Sequence, residues 1–145
     1  MSSENHHATA LGHLRVLDLA TAQIGYFGKI FADLGADVIK VESPQGDPSR
    51  QMAPFAGDLS DPERSLYFLN FNANKRSVAL DLETDAGRAS LSQLASGADV
   101  LVESYTPGYL DSLGVGYDAL KQGNPALVFA SITPFGQAGP YAEFQ

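Results

Sequence analysis

Between residues 15 and 132 the sequence alternates short apolar runs with stretches whose apolar residues recur every three or four positions, which leaves few architectures open. Residues 15–20 (Arg-Val-Leu-Asp-Leu-Ala) read as a strand, and Ile24, Phe27, Phe31 and Leu34 then follow at helical spacing. Gly35 is expected to end that helix, because glycine tolerates the positive φ that closes a last turn. Further strands are expected at 37–42, 77–82, 99–103 and 127–132. Between the strands at 77–82 and 99–103, Thr84 suits an N-cap, Asp85 complements the helix dipole, and Leu91, Leu94 and Ala95 line one face as far as Gly97. Two short helices are expected around 109–113 and 117–122, stopped by Asn124-Pro125. Strand, helix, strand in repetition predicts an α/β fold, Rossmann-like, with a largely parallel sheet flanked by helices.

Two segments fall outside that rhythm. Residues 1–12 read as a flexible leader, in which the adjacent His6 and His7 carry no metal-site geometry. Residues 43–65, rich in Pro, Gly, Asp and Ser, read as one long excursion; long loops inside compact domains are often functional.

Composition narrows the function classes. The formal charge of -8 disfavours nucleic acid and anionic membranes as partners, since both call for basic stripes. With no cysteine, disulfide, zinc-thiolate and thiol-nucleophile chemistry are excluded, which fits a reducing cytoplasm. No apolar run approaches the roughly 20 residues of a membrane span. All three histidines lie within residues 6–13, so a Ser-His-Asp arrangement is not credible, and no metal site is expected.

Ligands of open parallel sheets bind beyond the carboxyl ends of the strands. That rule selects residues 21–25, 43–50, 81–84 and 104–108, each of them polar, glycine-bearing or proline-bearing. The first of these leads into Gly25-Tyr-Phe-Gly28, without the three-glycine dinucleotide pattern, and Tyr26 and Phe27 would obstruct the backbone approach that a pyrophosphate needs. Lys75-Arg76 is the only adjacent basic pair. It reads either as a cationic spot for a phosphorylated ligand or as a solvated pair answering acids such as Asp81 and Glu83. Glu42 and Glu103 end strands and read either as candidate general bases or as solvated or capping carboxylates.

Several phrases, in this order, resemble the N-terminal part of family III CoA-transferases, the group that contains formyl-CoA transferase and the carnitine CoA-transferase. They are Leu17-Asp-Leu19, Leu34-Gly-Ala-Asp-Val-Ile-Lys-Val-Glu42, Asn74-Lys-Arg-Ser-Val-Ala-Leu-Asp-Leu82 and Ala98-Asp-Val-Leu-Val-Glu103. Pro107-Gly108, Leu113-Gly-Val-Gly-Tyr117, Asn124-Pro125 and Phe135-Gly-Gln-Ala-Gly-Pro-Tyr141 continue the series. The resemblance implies that residues 13–145 are a Rossmann-like domain binding coenzyme A, incomplete relative to the family's large domain. It implies transfer of CoA between an acyl-CoA and a small carboxylic acid through an aspartyl intermediate, with that aspartate beyond Gln145. It also implies an interlocked homodimer, or else a companion chain that supplies the missing half. A chain stopping at Gln145 would be inactive alone and would leave apolar surface open.

The family's CoA contacts carry over by position. Gln23 and Ile24 match residues that approach the pantetheine and the reacting end, and Ser43 stands where a relative has arginine. Leu80, Asp81, Leu82 and Glu83 match the segment that holds the adenosine end, while Ser104, Tyr105 and Thr106 match the next wall. Some positions depart from the pattern: Tyr26 replaces a proline, Ser104 an asparagine, and Ser112 an arginine near the CoA phosphates. Losing that arginine removes a charge-assisted contact worth about 1.5–3 kcal/mol, for which Lys75, Arg76 or Arg50 are the candidate substitutes. Two other readings are compatible with the resemblance: a 2-methylacyl-CoA racemase, which would carry Gly-His-Asp just after these residues, and a non-catalytic CoA-binding partner subunit.

Overall fold

The computed structural model describes residues 9–142 and 144. Five strands alternate with helices: β1 (Arg15–Leu19), α1 (Gly25–Asp33), β2 (Asp37–Glu42), α2 (Leu66–Asn72), β3 (Arg76–Ala79), α3 (Asp85–Ala95), β4 (Val100–Glu103), α4 (Tyr109–Ser112), α5 (Tyr117–Gly123) and β5 (Val128–Ser131). The strands form one sheet in the order β3-β2-β1-β4-β5, and every pairing is parallel. The expected α/β class and Rossmann-like parallel sheet are therefore found. No described helix is long and apolar enough to cross a membrane.

The three central strands are apolar along most of their length because both faces of the sheet are covered. Successive side chains point to opposite faces, so Leu17, Leu19, Val41 and Leu101 pack with Leu91 and Ala95 of α3, Leu110 of α4 and Leu120 of α5. Val16 and Val38 point the other way and pack with Ala32 of α1 and Ala36. Register puts Val16 opposite both Val38 and Val100, which stacks the aliphatic rows across the sheet. Leu11, at the end of the segment read as a leader, donates its N–H to Leu34 O at 3.0 Å and packs against this second cluster. His6 and His7 lie outside the described residues.

Helix ends follow local chemistry. Gly35 closes α1 with φ of 97°, as expected. The Thr84 hydroxyl accepts the Gly87 N–H at 3.1 Å and caps α3. The segment 43–65 is less open than its composition suggests. It holds 3₁₀ turns at Pro48–Gln51 and Ala56–Asp58, and Ser65 then caps α2, its hydroxyl accepting from Phe68 N at 3.1 Å. This helix was not expected, because only Phe68 on it is buried and no amphipathic repeat marks it.

The sheet borders differ. β3 carries Arg76, whose side chain is 65% exposed, whereas β5 presents Val128, 59% exposed. Beyond β5, the rings of Phe135, Tyr141 and Phe144 contact one another on the surface.

The β3–α3 junction depends on a close approach. A Cβ on Gly87 would stand 1.9 Å from the Asp81 carbonyl oxygen, so Gly87→Ala must displace backbone. Gly87→Ala is expected to cost about 1–3 kcal/mol in chemical denaturation. Thr84→Ala, which removes only the cap, is expected to cost about 1 kcal/mol.

Candidate functional site at the carboxyl edge of the sheet

Strand order reverses on either side of β1, so the loops leaving β1 and β4 flank the switch point where open α/β sheets bind ligands. The two loops are joined there: the Thr21 N–H donates to the Ser104 hydroxyl at 3.0 Å. Ala22–Ile24 forms a 3₁₀ turn that contains Gln23, and half-buried Ile24 leads directly into α1.

One cavity of about 190 Å³ opens along the ends of β2, β3 and β4. Its lining includes Ser43, Leu80, Asp81, Leu82, Glu83 and Tyr105, six of the thirteen residues singled out from sequence. Asp81 shapes its floor: one carboxylate oxygen accepts the Glu83 N–H at 3.1 Å, and its carbonyl accepts from the Thr84 hydroxyl at 2.8 Å. Tyr105 and Tyr109 form an aromatic wall, with ring centroids 4.9 Å apart. Burial, aided by the charges of Tyr109 and Glu103, pushes the Tyr105 hydroxyl up to about 12. The Tyr109 hydroxyl donates to Glu83 at 2.7 Å, and this bond heads the causes that raise its own pKa. The volume lies below the ~300–1,000 Å³ of pockets that enclose a whole ligand, so the cavity suits one end of a longer molecule.

The other expected residues lie elsewhere. Thr106, with Glu103, lines a separate cavity of about 740 Å³ between β4, α4 and β5. Ser112 is exposed on α4, and its hydroxyl donates to Tyr109 O at 2.7 Å. Of the cavity residues, Ser43 is exposed and turns its hydroxyl back to Gly46 O at 3.1 Å.

Lys75 and Arg76 do not act as one cationic spot. Arg76 is exposed and paired with Asp37. Lys75 Nζ is buried, with its three donors directed to Asp18 at 2.6 Å, Gly25 O at 2.7 Å and Asn72 at 2.9 Å. Burial holds this ammonium below the usual lysine range against the opposing pull of Asp18. The acids that answer the pair are thus Asp18 and Asp37 rather than Asp81 and Glu83.

Glu42 is neither solvated nor open for proton transfer. Burial alone would raise its carboxyl, but hydrogen bonds from Arg50, Ser77 and the Asp47 N–H, with the Arg50 charge, hold it at about 2. Arg50 grips both Glu42 oxygens, at 2.6 and 2.9 Å, and its guanidinium lies 3.7 Å over the Phe68 ring. Glu103 is also buried, and it accepts the Tyr105 N–H at 2.6 Å.

A further ion pair escaped the sequence reading. Lys40, in the middle of an apolar strand, is buried and pairs with buried Asp47 at 2.7 Å while donating to Ala20 O at 2.7 Å. The available signal was a lysine inside Val-Ile-Lys-Val, because a parallel strand covered on both faces rarely admits an unpaired charge.

A family model described as CoA-transferase family III matches residues 11–145. The BbsE subunit of succinyl-CoA:(R)-benzylsuccinate CoA-transferase from Thauera aromatica is 51% identical over 131 residues, which cover 90% of this chain and 32% of that protein. A formyl-CoA:oxalate CoA-transferase from Streptomyces coelicolor is 42% identical over 139 residues, covering 95% of this chain and 33% of that one. Among solved structures, a CAIB/BAIF family protein from Brucella suis superposes with a TM-score of 0.85 at 41% identity, covering 94% of this chain and 36% of that chain. The chain thus spans about a third of the length of these relatives.

The depressed Glu42 carboxyl sets an acid limit on stability. It is held near 2 when folded, against 4.5 for the free group, so its contribution is complete above pH 4.5 and is lost as pH falls towards 2. Glu42→Gln leaves the partly buried Arg50 without its full counter-charge, so a loss of about 3 kcal/mol at neutral pH is expected. Thermal melts from pH 7 down to 2 should show the variant with a lower plateau and a shallower acid limb.

Proposed function

The chain belongs to CoA-transferase family III, and from that premise we propose that it forms the coenzyme A-binding part of an acyl-CoA:carboxylate CoA-transferase. The observation that carries this reading is the convergence of Ser43, Leu80, Asp81, Leu82, Glu83 and Tyr105 on one cavity at the carboxyl edge. In the proposed arrangement the adenosine end of CoA enters this cavity. The Tyr105 and Tyr109 rings offer π faces to the base, and the turn around Asp81 supplies polar edges. The pantetheine then runs along the sheet edge towards Gln23 and Ile24, in the turn that leaves β1.

The chemistry follows the family pattern of carboxylate nucleophilic catalysis. An aspartyl carboxylate attacks the carbonyl of the donor thioester, forming an acyl-aspartyl anhydride and expelling CoA as its thiolate. The thiolate attacks the aspartyl carbonyl, releasing the donor acid and leaving an aspartyl-CoA thioester. The acceptor carboxylate then reverses these steps and departs as its own CoA ester. In this proposal the residues described here hold and orient CoA, and the nucleophilic aspartate and the acid-binding groups are not among them.

The proposed assembly is an interlocked homodimer or a complex with a companion chain. The likeness to a protein named as a subunit of its transferase supports the second possibility. The soluble acyl-CoA chemistry proposed here is consistent with a cytoplasmic setting.

Calorimetric titration with CoA tests the reading. One CoA is expected per chain, and Tyr105→Ala is expected to weaken binding by about tenfold to a hundredfold, as loss of a base–aromatic stack would. No heat of binding from the unmodified protein, or an unchanged affinity after Tyr105→Ala, would overturn it.

A further inference from the structure

Two lysines that are far apart in sequence end on the same short turn. Lys40 donates to Ala20 O at 2.7 Å, and Lys75 donates to Gly25 O at 2.7 Å. Those carbonyls bracket the turn over residues 20–25, and each ammonium is neutralised beneath it, Lys40 by Asp47 and Lys75 by Asp18. Asp18 also accepts the Ala20 N–H at 3.0 Å, so the first end of the turn is held through both its N–H and its C=O.

Three features show how tightly the turn is specified. Ala22 sits at φ of 48°, a left-handed conformation that alanine adopts only under constraint. The Thr21 N–H is fixed to the Ser104 hydroxyl. Gly28 lets α1 lie against the pair beneath, because a Cβ there would stand 2.3 Å from an Asp18 carboxylate oxygen.

Holding four buried charges is a poor way to gain stability, since apolar side chains of similar volume often serve as well. What apolar replacements cannot do is donate charge-assisted hydrogen bonds to both ends of one loop in a site shielded from water. We propose that Lys40–Asp47 and Lys75–Asp18 are positioning pairs that fix the turn over residues 20–25 in the shape that receives the thioester end of bound acyl-CoA. The part concerning CoA rests on the function proposed above; the clamping of the turn rests on this geometry alone.

Two double variants test the idea independently, each removing one pair while preserving an acceptor: Asp18→Asn with Lys75→Met, and Lys40→Met with Asp47→Asn. The first readout is amide hydrogen exchange at Thr21 and Ile24, whose N–H groups are bonded to the Ser104 hydroxyl and to Thr21 O. In either folded variant, exchange there is expected to rise about 100-fold while the amides of β4 stay near their original rates. The second readout compares acetyl-CoA with adenosine bisphosphate, which lacks the pantetheine. Affinity for acetyl-CoA is expected to fall about tenfold, and affinity for the bisphosphate to stay within about twofold. Unchanged exchange at Thr21 and Ile24, or an equal rise across β4, would overturn the clamp. Equal loss of both ligands would overturn its role at the thioester end. If the unmodified protein bound neither ligand while exchange rose as expected, the CoA reading would fall and the clamp would stand.

Discussion

The carboxyl edge of this sheet is organised by charge taken out of water. Asp18, Lys40, Glu42 and Asp47 are buried, and Lys75 and Arg50 reach in to complete three pairs. An isolated ion there would be severely destabilising, so each must meet a partner at hydrogen-bond distance. That demand fixes geometry well beyond the pairs themselves. Lys40 and Asp18 come from strands, whereas Lys75, Asp47 and Arg50 come from connecting segments, and closing the pairs ties those segments to the sheet. The aliphatic rows at mid-sheet set the stacking of strands and helices, and the charges set how the loops leave them.

The cavity shows what such tethering achieves. Its walls come from three loops that have no sequence contact with one another, yet each is held by its own polar bonds. The β2 loop is held through Glu42 and Asp47, the β3 loop through the Asp81 turn over Gly87, and the β4 loop through the Glu103 carboxylate on the Tyr105 N–H. A concave surface built in this way exists before any ligand arrives, so less ordering cost falls on binding.

Much of this was legible in the sequence because it is periodic. The strands at β1, β2 and β4, the helix capped by Thr84, the stop at Gly35 and the loops at the sheet's carboxyl edge all announce themselves through alternation, caps and glycine. Pairing was not legible. Lys75 and Arg76 are neighbours in sequence, yet Lys75, in the connection from α2, is buried against Asp18, while Arg76, the first residue of edge strand β3, lies on the surface against Asp37. Lys40 looked like an ordinary strand residue because its partner Asp47 lies in a segment without period. α2 was hidden for a related reason: Ser65, Arg50 and Phe68 hold it through contacts to the β2 loop, so tertiary bonds outweigh local pattern there.

The two borders of the sheet carry a consequence for assembly. A strand with free N–H and C=O groups on one side is a template on which another backbone can add, and a charged side chain along that rim discourages it. β3 has such a guard in Arg76, while β5 offers Val128 and no Lys, Arg, Asp or Glu in its four residues. Among the described residues, growth of this sheet by a sixth strand is therefore directional: it is disfavoured beside β3 and less guarded beside β5.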